Sequence, residues 1–309
     1  MKKTFIILIL FSLHYFNGQK YISLDDFKTK FRVEQYTLET KKLYNINKHI
    51  SVYNVFIDNN IILFSVLPPY EPRTNNIIYA DYEKLKKNIP SSSIESSIQE
   101  DINWERINIE TIKENIVSIS SVLDDFTAEW GWDITPEKKT FKYKLVKKIG
   151  DNYYASNTCL TELFLIKSSK YPLITPYGTI NILEPKVTIK QMYDAYTLQF
   201  PKDKFPLDVW ERSRARGNDG AYVARNYLSK EFKIKNYQAY QLWTFDVWWS
   251  MHGDNRHRGI DRFVYIPKKG IVGGSYDFYF RYSDGFHVPD TILWKNILEE
   301  NVMIAEELK

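Results

Sequence analysis

Across residues 237–249 the side chains alternate in a way that only an extended strand can use. The odd positions are Tyr237, Ala239, Gln241, Trp243, Phe245, Val247 and Trp249. The even ones are Gln238, Tyr240, Leu242, Thr244, Asp246 and Trp248. Neighbouring side chains of a strand point to opposite faces, so the odd set forms an apolar face that must lie on a core. More extended runs follow. Residues 260–266 and 271–282 flank the turn Pro267-Lys268-Lys269-Gly270, and Tyr276, Phe278, Phe280 and Tyr282 would share one strand face. Earlier, residues 50–57 and 61–67 surround Asp58-Asn59-Asn60, a short-loop hairpin signal that ends at Pro68-Pro69. A second hairpin is expected from residues 141–149 and 153–166 around Gly150-Asp151-Asn152.

Helical periodicity is clearest in Ile109, Ile112, Ile116, Ile119, Leu123, Phe126 and Trp130. Their spacing of three and four predicts one apolar helix face ending at Gly131. Isoleucine is not a strong helix former, so packing on a sheet has to hold such a helix; pairing with a partner helix is the alternative. A second helix is expected over 221–232. A last one begins near Asp290, with Leu293, Trp294, Ile297, Leu298, Val302 and Leu308 available for packing. Five prolines between Pro172 and Pro206 restrict that stretch to short pieces. These elements predict an α+β protein, an antiparallel sheet with aromatic-rich C-terminal strands packed by a few helices. Residues 19–309 are expected to form a single body, with any division into two lobes falling near 131–140.

The first eighteen residues read differently. Lys2 and Lys3 precede an apolar stretch of about ten residues, and a polar exit follows at Asn17-Gly18-Gln19, the three parts of a secretory signal peptide. The stretch is shorter than the roughly 20 residues a membrane-crossing helix needs, and no later run supplies them, so no transmembrane span is expected. Cleavage after Gly18 would place bulky Phe16 where a small residue is preferred, and a retained amphiphilic anchor is the alternative. The sole cysteine, Cys159, rules out an intramolecular disulfide, and none stands at the signal to take a lipid. Cys159 lies in the β-prone Thr158-Cys159-Leu160-Thr161, which suits a small buried apolar residue rather than a nucleophile. A body of this length buries about three quarters of its unfolded surface, so its core must hold it together.

Net charge is +4, of which two lysines belong to the signal, and no basic block exceeds a lysine pair. Nucleic acid is therefore not an expected partner. The unusual quantity is aromatic content, 16% of residues. Adjacent Trp248 and Trp249 would face opposite sides of their strand. An exposed ring there would suit a sugar, an apolar ligand or a protein surface. Glu129-Trp130-Gly131-Trp132-Asp133 offers a similar pairing of rings and acids. Arg212, Arg214 and Arg216, spaced by two before the expected second helix, could hold an anionic group near its N-terminus.

The densest polar cluster runs from Met251 to Asp261. His252, Asp254 and His257, with His287 or Asp261, could ligate zinc or a similar divalent metal. The spacing matches no established metal motif, Arg256 and Arg258 would repel a cation, and polar turns favour these residue types in any case. There is no Gly-x-Ser-x-Gly elbow, phosphate loop, dinucleotide fingerprint or His-Glu-x-x-His. The sequence thus points to an exported bacterial protein, periplasmic or extracellular, that binds a protein, glycan or small apolar ligand without catalysis. Trp248, Trp249, Arg214 and Arg216 are the candidate binding residues. The alternative is a metal-assisted hydrolase built on the 252–261 cluster.

Overall fold

A computed structural model describes residues 19–69, 103–127, 140–167, 178–199, 201–202, 225–245, 259–282 and 288–309. Its described residues form two sheets, of nine and five strands, packed by six α-helices. The larger sheet contains β1 (Tyr21–Ser23), β2 (Arg32–Glu39), β3 (His49–Ile57), β4 (Asn60–Leu67) and β5 (Trp104–Ile107). It is completed by β6 (Thr140–Ile149), β7 (Asn152–Ser156), β8 (Thr158–Lys167) and β9 (Thr179–Asn181). Its order is β2-β3-β4-β8-β6-β7-β5, with β1 parallel to β6 and β9 parallel to β8. All other pairings are antiparallel.

Both expected hairpins are present. β3 and β4 turn through Asp58-Asn59, with Asp58 at φ 49°, a left-handed position that aspartate tolerates better than most residues. β6 turns into β7 at Gly150, φ 58°. The returning strand is interrupted at Asn157. The register with β6 shifts by one residue there, and Ser156 Oγ accepts the hydrogen bond of Leu145 N at 2.8 Å. This is the signature of a bulge in which a hydroxyl replaces a ladder partner.

The second sheet contains β10 (Arg225–Ile234), β11 (Tyr237–Phe245), β12 (Arg262–Ile266), β13 (Gly270–Ser275) and β14 (Met303–Ile304), in that order and wholly antiparallel. Its C-terminal strands carry the alternation read from the sequence. Trp243 and Phe245 pack on one side of β11, Tyr240 and Leu242 on the other.

Three apolar layers hold the molecule. Ile50, Val52, Ile61, Leu63, Leu160 and Phe164 point between the sheets, against Leu228, Leu242, Phe263 and Tyr265. The intervening residues of the first sheet, Tyr53, Val55, Ile62, Phe64 and Cys159, face α1 (Leu24–Lys30) and α3 (Ile119–Thr127). Beyond the second sheet, Tyr227, Trp243 and Phe245 meet Ile189 and Met192 of α4 (Ile189–Gln199) and Ile297 of α6 (Asp290–Leu298). The short α2 (Lys41–Tyr44) and α5 (Asp277–Tyr282) join the core between the sheets.

Three expected elements take another form. The isoleucine-rich stripe is not one helix. Among its described residues, Ile109–Thr111 and Lys113–Asn115 are 3₁₀ turns, and only Ile119–Thr127 is α-helical. Ser118 starts that helix, its Oγ accepting from Ser121 N, while Val117 N is drawn to Tyr21 O. The stripe still packs on sheet, but in two pieces, Ile112 beside Val146 and Ala155, and Phe126, with half-buried Ile119 and Leu123, in the cluster of Phe64 and Tyr143. The helix expected over 221–232 is replaced from Arg225 onward by β10, because β11 takes its partner there. The strand expected through 276–282 is replaced by α5, which buries Tyr276, Tyr279 and Phe280 together.

Candidate functional site

The feature with most chemistry among the described residues is a polar seam inside the apolar layer between the sheets. It is built from single polar residues set in apolar strands. On β3, Asn54 Nδ2 donates to Ile271 O at 2.9 Å and Asn54 Oδ1 accepts from Ile271 N at 2.7 Å. The amide acts as one more rung of ladder, reaching from one sheet to the other. Gly270 leaves room for it, since a Cβ there would lie 2.5 Å from Asn54 Oδ1. On β4, Ser65 Oγ and Tyr276 OH share a hydrogen bond of 2.7 Å. On β8, Glu162 Oε2 accepts from Ile260 N at 2.9 Å, and Gly259, at φ 75°, rests against the carboxylate. Contacts that follow one another along β12 and β13 therefore fall on different strands of the first sheet, so the sheets cross obliquely.

At the start of β12 lies the strongest electrostatic element. Arg262 NH1 donates to Asp277 Oδ2, and both side chains are 2% exposed. Arg262 Nε and NH2 donate to Asn301 O at 3.2 and 3.0 Å. Tyr44 OH donates to Asp277 Oδ1 at 3.1 Å and accepts from Tyr276 N at 2.7 Å. Ser275 Oγ donates to Asp277 Oδ2 and accepts from Arg262 N, each at 3.2 Å. The carboxylate and guanidinium thus have several partners each, as a buried pair requires to offset its desolvation.

This seam is unsuited to catalysis. Burial raises the pKa of Tyr44 and Tyr276 well above the ordinary phenol value, so both hydroxyls stay protonated. Burial also pushes the Cys159 thiol up to about 12, which withholds the thiolate and agrees with its reading as a buried apolar residue. Burial works against the Arg262 charge, but Asp277, Tyr44 and Asp261 together outweigh it and its pKa is raised. The seam residues Asn54, Ser65, Glu162, Arg262, Ser275, Tyr276 and Asp277 are all buried.

The candidate residues read from the sequence lie elsewhere. Trp248, Trp249, His252, Asp254 and His257 fall in 246–258, Arg214 and Arg216 in 203–224, and His287 in 283–287. All are outside the described residues, as are the leader 1–18 and the pair Trp130 and Trp132. Asp261 alone is described. Its Oδ2 accepts from Phe278 N at 3.0 Å in the first turn of α5. No group of three or more His, Cys, Asp or Glu able to hold a metal occurs among the described residues. No described helix is long and apolar enough to cross a membrane.

What the fold does show is where those segments join it. Arg225, which follows 203–224, pairs with Phe245, which precedes 246–258. Thr244 N donates to Asp261 O, and Ile260 N to Glu162, just after 246–258. Thr140, which follows 128–139, pairs with Glu162. The attachment points of two candidate-bearing segments therefore meet at Glu162, and that of the third, Arg225, reaches them through its pairing with Phe245 and the Thr244–Asp261 bond. Of Glu162, Arg262 and Asn54, which the sequence did not single out, Asn54 stands as a lone polar residue in the β-prone run 52–57, whereas Glu162 and Arg262 each follow another polar residue, Thr161 and Asp261. Compared with known protein families, curated proteins and solved structures, the chain has no match.

Proposed function

We propose that this chain is an exported, non-catalytic binding or interaction protein of a bacterial envelope. Its ligand is a protein, a glycan or a small apolar molecule, met by Trp248, Trp249, Arg214 and Arg216. One observation supports this above the others. In the seam, Tyr44 and Tyr276 tie the two sides together through Asp277 and Ser65 with their hydroxyls held protonated, Arg262 is paired with Asp277, and the Cys159 thiol is buried and protonated. Such an interior is scaffold chemistry, and it leaves function to the segments attached around Glu162.

The deciding experiment is the elemental metal content of the mature protein, purified without chelator or affinity metal, beside His252→Ala. The binding reading expects no stoichiometric metal and no stabilisation by added zinc. About one zinc ion per chain, lost in His252→Ala, would overturn it in favour of the metal-assisted hydrolase.

A further inference from the structure

The end of the molecule bearing the β10–β11 and β12–β13 turns is basic. Five cations gather there, Arg32, Lys233, Lys235, Lys268 and Lys269, against the carboxylates of Glu34, Asp58 and Glu307. Contacts tie the turns together. Arg32 NH1 donates to Lys268 O at 2.7 Å, Tyr36 OH donates to Lys269 O at 3.2 Å, and the Lys269 ammonium stands 4.5 Å from the centre of the Tyr237 ring. Glu34 is already occupied, 2.8 Å from Arg32. Lys233, Lys235 and Lys268 are exposed, and Tyr237 is among the few large apolar side chains of the described residues that are, at 42%.

Two backbone angles add a second observation. Lys235 and Lys268 have φ 51° and 67°, the left-handed region where glycine or asparagine is the easier choice. Both turns thus place a lysine at their most strained position, so turn formation alone does not account for the residue type.

We propose that this end docks on an anionic membrane surface, lying on the bilayer and not crossing it. Lysines on projecting turns are drawn by the negative surface potential, each adding roughly fivefold in affinity. An amphipathic ring between them is suited to the headgroup region, with its body in the apolar boundary and its hydroxyl in water. The inference is independent of which ligand the Glu162 end serves, and the two can fail separately.

The test is sedimentation of the mature protein, residues 19–309, with vesicles of phosphatidylglycerol and phosphatidylcholine, beside vesicles of phosphatidylcholine alone. Binding is expected only to the anionic vesicles. It should fall away at about 1 M salt, where the screening length shrinks to about 3 Å. The triple variant Lys235→Gln, Lys268→Gln, Lys269→Gln should bind roughly a hundredfold more weakly, and the corresponding arginine variant should bind as the parent does. The arginine variant keeps the result readable even if the glutamines alter folding. Tyr237→Ala should weaken binding with the charges intact. Equal binding to neutral vesicles, no vesicle binding, or a glutamine variant that binds like the parent would overturn the proposal. So would binding to dextran sulfate but not to vesicles, which would make the partner a soluble polyanion.

Discussion

Arg262 and Asp277 show how closely single residues in the seam depend on one another. Each is buried, and removing one leaves the other charged in a medium that solvates it poorly. Asp277→Ala is expected to cost about 3–5 kcal/mol, read from urea unfolding. Replacing both residues by apolar ones of similar volume should recover much of that loss; an Asp277→Ala protein as stable as the parent would refute the pairing. Glu300 carries the opposite sign. Burial raises its carboxyl pKa, with Lys230 and the Ile189 N–H only partly offsetting this. A group whose folded pKa is raised contributes its stability below the unfolded value, about 4.3 for a glutamate, and loses it as pH rises through the folded value. At neutral pH the buried charge is therefore a burden. Glu300→Gln should raise the thermal midpoint at pH 7, with the gain vanishing below about pH 4. A lower midpoint at pH 7 would mean that the ion pair with Lys230 outweighs desolvation.

At the level of elements, Asn54 is expected to be the most sensitive polar position in the first sheet. Asn54→Ala would strand both backbone groups of Ile271 between the sheets, at about 1–3 kcal/mol for each group left unsatisfied. Amide hydrogen exchange at Ile271 would report the lost protection, and unchanged protection would disprove the link. The sequence was legible wherever one pattern had one reading. The turns at Asp58-Asn59 and Gly150 and the alternation of β11 needed only local chemistry. It misled where two periods fitted the same residues. Tyr276, Phe278 and Phe280 alternate like a strand, yet Tyr276, Tyr279 and Phe280 are also spaced like a helix, and Asp261 settles the matter by accepting from Phe278 N. The isoleucine stripe kept its packing in part, with Ile112 and Phe126 buried and its other described residues half-buried, but lost its continuity, because Ser118 begins a helix where an uninterrupted one would need to pass through. The seam was hidden for another reason. Asn54 is far from Ile271 in sequence, as Glu162 is from Ile260, and only the crossing of the sheets brings each pair together.

Taken whole, the two sheets share one apolar layer, and neither has a complete core without the other. Thermal or urea unfolding should therefore be a single cooperative transition, with far-ultraviolet circular dichroism and tryptophan fluorescence coincident. Two separated transitions would show that the sheets are independently stable. The segment Met303–Leu308 contributes to both sheets. Met303 pairs with Gly274 in the second, Glu307 accepts from Thr37 N at the outer edge of β2 in the first, and Leu308 enters the layer between. That arrangement has a kinetic consequence. Thr37 meets Glu307 across 270 positions, and Leu43 O meets Asn296 across 253. Contacts so distant along the chain must be found by long loop closures before they return any energy, so refolding should be slow for a chain this size. Until β2 is covered, its outer edge is open to pairing with other chains, and the same closure that completes the core also removes that hazard.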